Sequence, residues 1–292
     1  MTDRRTFWST ATADEIAQIF AQQALERVTP EVRRITQPVA DLCASPKGAR
    51  DRQMLYGQSI TLHAMSNEGW AFGETVADRY SGWIELSHLE NPADAAPTHR
   101  ITAATSYAKS TEGLKTPGQV KPLSMGSELV VAGDMDGWSR VAWSNKEYAR
   151  AWFVPSLHLS PINSIETDPV TIAKRLLGTP YLWGGNSAFG IDCSGLVQIA
   201  CHACGIACPG DSDQQMAQLG ETLDPGTPPQ RGDLLFWKGH VGWVSDSSTL
   251  LHANAHSMSV TYEPLQAAIE RIAAQGDPIL RHARLTLGGK GV

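Results

Sequence analysis

The sequence predicts an α+β domain at the C-terminal end, preceded by two small all-β barrels. Three observations predict this. Short apolar runs broken by turn residues fill positions 35–91. A second stretch of the same texture, over 100–160, aligns with the first. From 165 onward, helix start and stop signals give way to consecutive strand patterns.

Residues 1–34 read as a helical segment, with Ile16, Ile19, Phe20 and Leu25 on one side of a helix over 12–28. In the next stretch, Asn67, Gly69, Asp78 and Gly82 punctuate LYGQSITLHAMSNEGWAFGETVADRYSGWIELSHL, as expected of short strands joined by tight turns. A Pro/Ala-rich linker, NPADAAPTHR, follows. Over 100–160, LSMGSELVVAGDMDGWSRVAW matches LYGQSITLHAMSNEGWAFGET, and AWFVPSLHL matches GWIELSHL. A unit of roughly 60 residues, all short strands and carrying a Gly-Trp turn, is thus present twice, which implies two copies of one small barrel. Trp70, Trp83, Trp138 and Trp152 recur at matching positions and read as barrel core. The repeated pattern resembles bacterial SH3 domains.

Residues 165–286 form the α+β domain. DPVTIAKRLLG carries Asp168 as N-cap, Pro169 at the first helical position and Gly178 as a stop. IDCSGLVQIACHACG places Leu196, Ile199 and Ala200 on one helix face and ends at Gly205. GDLLFWKG, HVGWVSD and TLLHANA then read as successive antiparallel strands.

The bulk numbers exclude several classes. The 292 residues are 42% apolar and 18% charged, with a formal net charge of −6 and no Lys/Arg run. Nucleic-acid and anionic-membrane partners need a concentrated basic patch, so neither is expected. Arg4 and Arg5 lack an apolar stretch behind them, and Asp14 and Glu15 interrupt any such core, so no secretion signal and no membrane span is read. Five cysteines, four of them within sixteen positions, make a poor disulfide framework; reduced thiols in a cytoplasmic protein are expected.

Cys193, in GIDCSGL, opens the second helix between Gly190 and the pair Ser194–Gly195. A helix N-terminus offers unpaired amide donors and partial positive charge, which favour a thiolate and can also hold an oxyanion. A thiol nucleophile needs a base, and the base an orienting partner. His240 opens the strand HVGWV, and His252 lies twelve positions on in LLHANA, beyond a turn of Asp246, Ser247 and Ser248. Adjacent strands of a hairpin can put both imidazoles on one face. In that reading His240 takes the thiol proton and His252 fixes its ring.

These motifs, PYLWGGNSAFGIDCSGLV, RGDLLFW, GHVGWV and LLHANA, resemble the NlpC-type peptidoglycan peptidases, a papain-like group of α+β cysteine peptidases. The resemblance implies Cys193 as nucleophile, His240 as base, His252 as orienting residue and Tyr181 beside the active site. It also implies cleavage of the bond between γ-linked D-glutamate and a diamino acid. Two SH3-like domains before the peptidase are similar to the subgroup that releases L-Ala-γ-D-Glu from murein peptides with a free N-terminal alanine. There an acidic pocket takes the ammonium, and the first SH3-like domain helps to wall it off. PGDSDQQ matches that pocket at Asp211 and Ser212. Asp192 is a second acidic candidate, Ser194 lies beside the nucleophile, and Tyr80 in DRYSGW is the SH3-side candidate. Asp211 also stands where a helix cap before DQQMAQL would, and a capping residue can bind a ligand as well.

No metal or other cofactor is expected. Cys201 and Cys204 fall inside the helix, whereas C-x-x-C zinc pairs usually sit in turns. His256 lies beyond the strand of His252, and Trp183 is expected to line the cleft. Competing readings are a broader γ-D-glutamyl endopeptidase, a papain-like amidase, and a non-catalytic cell-wall-binding protein.

Overall fold

The protein is described by a computed structural model covering residues 3–22, 26–91, 95–143 and 151–285. Two compact units divide it, Met1–Ser164 and Ile165–Val292. Among the described residues no helix is long and apolar enough to cross a membrane.

The first unit opens with helices α1 (Phe7–Thr10) and α2 (Ala13–Gln22). A reciprocal pair starts α2: the Thr12 N–H donates to Glu15 Oε2 at 2.8 Å, and the Glu15 N–H donates to Thr12 Oγ1 at 3.3 Å. This capping box satisfies two amides that the helix itself cannot. Ile16 packs with Phe7 and Trp8 against Trp70, Phe72 and Trp83. The side chains of Ile19 and Phe20, and residue Leu25, lie outside the described residues.

The helical reading of residues 1–34 needs correction, because Glu26–Ile35 is a strand, β1. Val28 and Val32 favour extended backbone, and Pro30 has no amide hydrogen for a helix. The strand pairs with β4 (Ser59–Met65), and its register shifts between Arg27 and Glu31, around that proline. Bulges are where a sheet tolerates proline.

The remaining strands of the first sheet are β2 (Val39–Cys43), β3 (Arg50–Leu55), β5 (Trp70–Thr75), β6 (Ser81–Glu85) and β7 (Leu89–Glu90). Their spatial order is β3-β2-β6-β5-β4-β1-β7. The second sheet is built from β8 (His99–Ile101), β9 (Thr105–Lys109), β10 (Val120–Ser124), β11 (Glu128–Met135), β12 (Trp138–Ala142), β13 (Trp152–Pro155) and β14 (Leu159–Pro161). Its order, β10-β9-β13-β12-β11-β8-β14, is that of the first sheet shifted by seven strands. Trp70 and Trp138 open equivalent strands β5 and β12, and Trp83 and Trp152 are buried in β6 and β13. The internal sequence repeat is thus a repeat of topology.

In the second unit, Asp168 caps α3 (Pro169–Lys174), accepting from the N–H groups of Val170 and Thr171. Helix α4 (Cys193–Ala203) lies on a six-stranded sheet. That sheet comprises β17 (Glu221–Thr222), β18 (Asp233–Trp237), β19 (His240–Asp246), β20 (Thr249–Asn254), β21 (Ser259–Pro264) and β22 (Arg281–Arg284). A small hairpin of β15 (Asn186–Ser187) and β16 (Gly190–Ile191) precedes α4. Helix α5 (Ser212–Gln218) follows it, and α6 (Leu265–Ala273) packs Leu265, Ala268 and Ile272 on Leu235, Trp237, Val244 and Leu250.

Asp233, fully buried in β18, ties in β22. Its carboxylate accepts from Arg284 Nε and Nη2 at 2.7 and 2.8 Å, and lies 2.8 Å from His282 Nε2. Burial alone would raise its pKa; Arg284, the Gln230 amide and His282 more than reverse that, so it stays ionised. Removing one member of such a cluster strands the others. Asp233→Ala should therefore destabilise the protein, read as a lowered denaturant midpoint.

Candidate active site

Three elements bring the sequence-predicted residues together. Cys193 is the first residue of α4 and is 5% exposed. Its Sγ lies 3.9 Å from the carbonyl oxygen of Gly239, the residue that precedes β19. His240 begins β19, and its Nε2 lies 2.9 Å from Nδ1 of His252 on β20. His252 is 1% exposed. Helix start, strand start and neighbouring strand thus converge, and Nδ1 is the His240 nitrogen left to face a thiol.

The start of α4 is clamped in place. Asp192 is the N-cap: its Oδ1 accepts from the Gly195 N–H at 2.7 Å and from Ser194 Oγ at 2.9 Å, and its Oδ2 accepts from the Gly184 N–H at 2.9 Å. These bonds fasten the loop ahead of β15 to the helix that carries the cysteine. Gly195 lets the two approach. A Cβ there would sit 2.6 Å from the Gly185 carbonyl oxygen and 2.9 Å from Asn186 Oδ1. Among the described residues, then, both oxygens of Asp192 hold local donors.

Burial governs the charges. It pushes the Cys193 thiol up to about 12, aided by Asp192; the backbone N–H groups of Val241, Ser194 and Cys193 itself act the other way. Burial also holds His240 down to about 3, with His252 and Arg271 adding to it. His252 is lowered by burial to about 4, against the pull of Glu263. Burial thus disfavours the charged form of both Cys193 and His240. Tyr181, whose N–H donates to the Met258 carbonyl, is raised by burial and by the nearby Cys193 and Asp192, so its phenol stays protonated.

Asp211 occupies the N-cap position of α5, but its side chain makes no capping bond to that helix. One turn on, Gln215 Nε2 donates to the Ser194 and Pro209 carbonyls, both at 2.9 Å, and so fastens α5 to the first turn of α4. Ser212 is the first residue of that helix. Trp183 is 71% exposed in the loop between Tyr181 and Gly185. Tyr80 is buried in the core of the first barrel, with the Arg52 guanidinium 5.0 Å above its ring. Cys201 is fully buried in α4, and among the described residues no cluster of His, Cys, Asp or Glu is arranged to hold a metal.

Sequence reasoning missed Glu263 and Arg271. Glu263 Oε2 lies 3.1 Å from His252 Nε2, and Arg271 grips both Glu263 oxygens, Nε to Oε1 at 2.9 Å and Nη2 to Oε2 at 2.7 Å. The register gives the available signal: His252 faces Thr261, so Glu263, two residues along β21, shares that face.

The NlpC/P60 family model matches residues 178–272, which span the cysteine and both histidines. The γ-D-glutamyl-L-lysine dipeptidyl-peptidase of Bacillus subtilis (strain 168) is 41% identical over 228 residues, covering 71% of this chain and 73% of that protein. The chain belongs to the NlpC/P60 family. A model described as the bacterial dipeptidyl-peptidase Sh3 domain matches residues 42–89, within the first barrel. Dipeptidyl-peptidase 6 of Lysinibacillus sphaericus is 26% identical over 237 residues, covering 73% of this chain and 83% of that one. Among solved folds, an NlpC/P60 family protein from Bacillus cereus ATCC 10987 superposes with a TM-score of 0.74 at 21% identity, over 87% of this chain and 99% of that one. This NlpC/P60 protein is a cysteine peptidase with a bacterial SH3 domain ahead of its α+β domain.

Proposed function

We propose that the protein hydrolyses the bond between γ-linked D-glutamate and a diamino acid in murein-derived peptides with a free N-terminal L-alanine, releasing L-Ala-γ-D-Glu. The observation that carries the reading is the Cys193–His240–His252 constellation at the start of α4, in a chain similar to a γ-D-glutamyl-L-lysine dipeptidyl-peptidase. Cys193 is the nucleophile. His240 takes its proton at Nδ1 as the sulfur attacks the γ-carbonyl carbon, so ions form only as the bond is made. Amide donors in the first turn of α4, with the Tyr181 phenol, hold the oxyanion. His240 then returns the proton to the departing amine, and water hydrolyses the thioester.

Asp211 and Ser212 receive the alanine ammonium. Asp192, beside the nucleophile, is a second acidic candidate, and its oxygens also hold Gly184, Ser194 and Gly195. A carboxylate that expects an ammonium rejects substrates lacking one, by as much as ~10⁴-fold. The five free cysteines fit a reducing compartment, and we place the enzyme in the cytoplasm.

Product analysis by mass spectrometry tests the specificity. The tripeptide L-Ala-γ-D-Glu-L-Lys should be cut to L-Ala-γ-D-Glu and lysine, its N-acetyl form should resist, and Asp211→Asn should lower kcat/KM for the free form alone. Efficient cleavage of the acetylated peptide would leave a general γ-D-glutamyl endopeptidase.

A further inference from the structure

We infer that Glu263, held by Arg271, is a positioning residue that fixes the tautomers of both histidines and so aims the lone pair of His240 Nδ1 at the thiol. This rests on His240 being the base. The bonds run in one direction only. Arg271 on α6 grips both oxygens of Glu263 and keeps it well below the usual carboxylate range, so Glu263 can only accept. His252 Nε2, 3.1 Å away, must then carry a proton and donate it. A neutral His252 therefore has its lone pair at Nδ1. The neighbouring His240 Nε2, 2.9 Å away, must be the donor in turn. A neutral His240 is left with its lone pair at Nδ1. With Glu263 absent, either imidazole can turn over to the other tautomer, and the relay loses its sense.

Its charge matters as well as its shape. The His252 side chain is fully buried and Glu263 only 16% exposed, so little water screens the carboxylate from a proton arriving on His240. The charged and titratable groups acting on the histidine pair are Glu263 from β21, Arg271 from α6 and His256 from the turn after β20, and Cys193 on α4 lies 3.9 Å from the Gly239 carbonyl that precedes His240. Glu263 favours the imidazolium; Arg271 opposes it. Removing one or the other should thus move the titration in opposite directions.

Glu263→Gln keeps size and an accepting oxygen but loses charge. It should reduce kcat about 10- to 100-fold, the scale known for outer partners of metal-binding histidines, with KM nearly unchanged. Its acid limb in kcat/KM should fall to lower pH. Arg271→Met leaves the carboxylate uncompensated, so its acid limb should rise to higher pH with a smaller loss in kcat. Glu263→Asp should recover part of the rate. The pH profile of Cys193 alkylation by iodoacetamide, in the same variants, needs no peptide and reads the relay even if the substrate is wrongly chosen. Opposite shifts of the limb by the two variants support the relay. A Glu263→Gln enzyme with wild-type kcat and limb, or two limbs moving the same way, overturns it. Should Glu263→Gln fail to fold, an unmoved limb in Arg271→Met overturns it alone.

Discussion

Cys193→Ala is expected to abolish peptide turnover, a fall on the order of 10⁶-fold, which is the scale of removing the nucleophile from a comparable triad. The fold should survive. Cys193 lies at the first turn of α4, whose position is set by the Asp192 cap, the Gly195–Gly185 approach and the Gln215 side chain, none of which uses the sulfur. Losing one buried sulfur costs about 1–2 kcal/mol, so the thermal midpoint should drop only a few degrees. Cys193→Ser should be as inactive as the alanine variant. A neutral imidazole held down by burial is a weak base, and a hydroxyl is much harder to deprotonate than a thiol. Steady-state assay of both variants, with circular dichroism to confirm folding, checks this; turnover by the alanine variant would refute a cysteine mechanism.

The second large effect separates the two histidines. His240→Ala should lower kcat about 10³- to 10⁴-fold, since it removes the group that moves the proton. His252→Ala should be less damaging to kcat, because an orienting group tunes the base while the base performs the transfer. It should be the more damaging to stability: His252 is fully buried, and its removal leaves a cavity beside the Glu263–Arg271 pair. The pH dependence follows from burial. His240 lies below its ordinary 6.5, so as pH falls it stays neutral, and competent as a base, to more acidic values than a free imidazole. The wild-type acid limb of kcat/KM should therefore lie below pH 6.5. Parallel kinetics and denaturant melts on the two variants decide the ordering; wild-type rates from His240→Ala would mean another residue is the base.

Much of this was legible in the residues. The repeat that matched GWIELSHL to AWFVPSLHL corresponds to strands in the same order in both sheets, because the tryptophans that fill each barrel fall at fixed distances from the turns. The caps were legible for a similar reason: Asp168 ahead of Pro169 is a local signal, and local hydrogen bonds close it. The spacing of Cys193, His240 and His252 placed them at a helix start and on neighbouring strands, and the contacts seen there, Cys193 to the Gly239 carbonyl and His240 to His252, depend on those three elements. Most of what escaped depended on distant pairing. Strand β1 carries charge at half of its positions and gains its place by pairing with β4 and β7, far along the chain. Helix α6 carries a local signal that went unread, Leu265, Ala268, Ile269 and Ile272 at helical spacing, whereas Glu263 becomes meaningful only once the register of β20 with β21 puts it beside His252. Asp192 was read as a possible ammonium ligand because it adjoins the nucleophile; that its oxygens also accept from the Gly195 and Gly184 N–H groups depends on the folded loop and could not be read from spacing.

The central claim is that Cys193 is acylated by the dipeptide it releases. Rapid acid quenching of the enzyme during turnover of L-Ala-γ-D-Glu-L-Lys, followed by intact mass measurement and peptide mapping, tests this most directly. The expected result is an L-Ala-γ-D-Glu acyl group on Cys193, formed at the rate of the first turnover and absent from enzyme pretreated with iodoacetamide. An acyl group on a different residue, or undiminished turnover by enzyme whose Cys193 is fully alkylated, would contradict it.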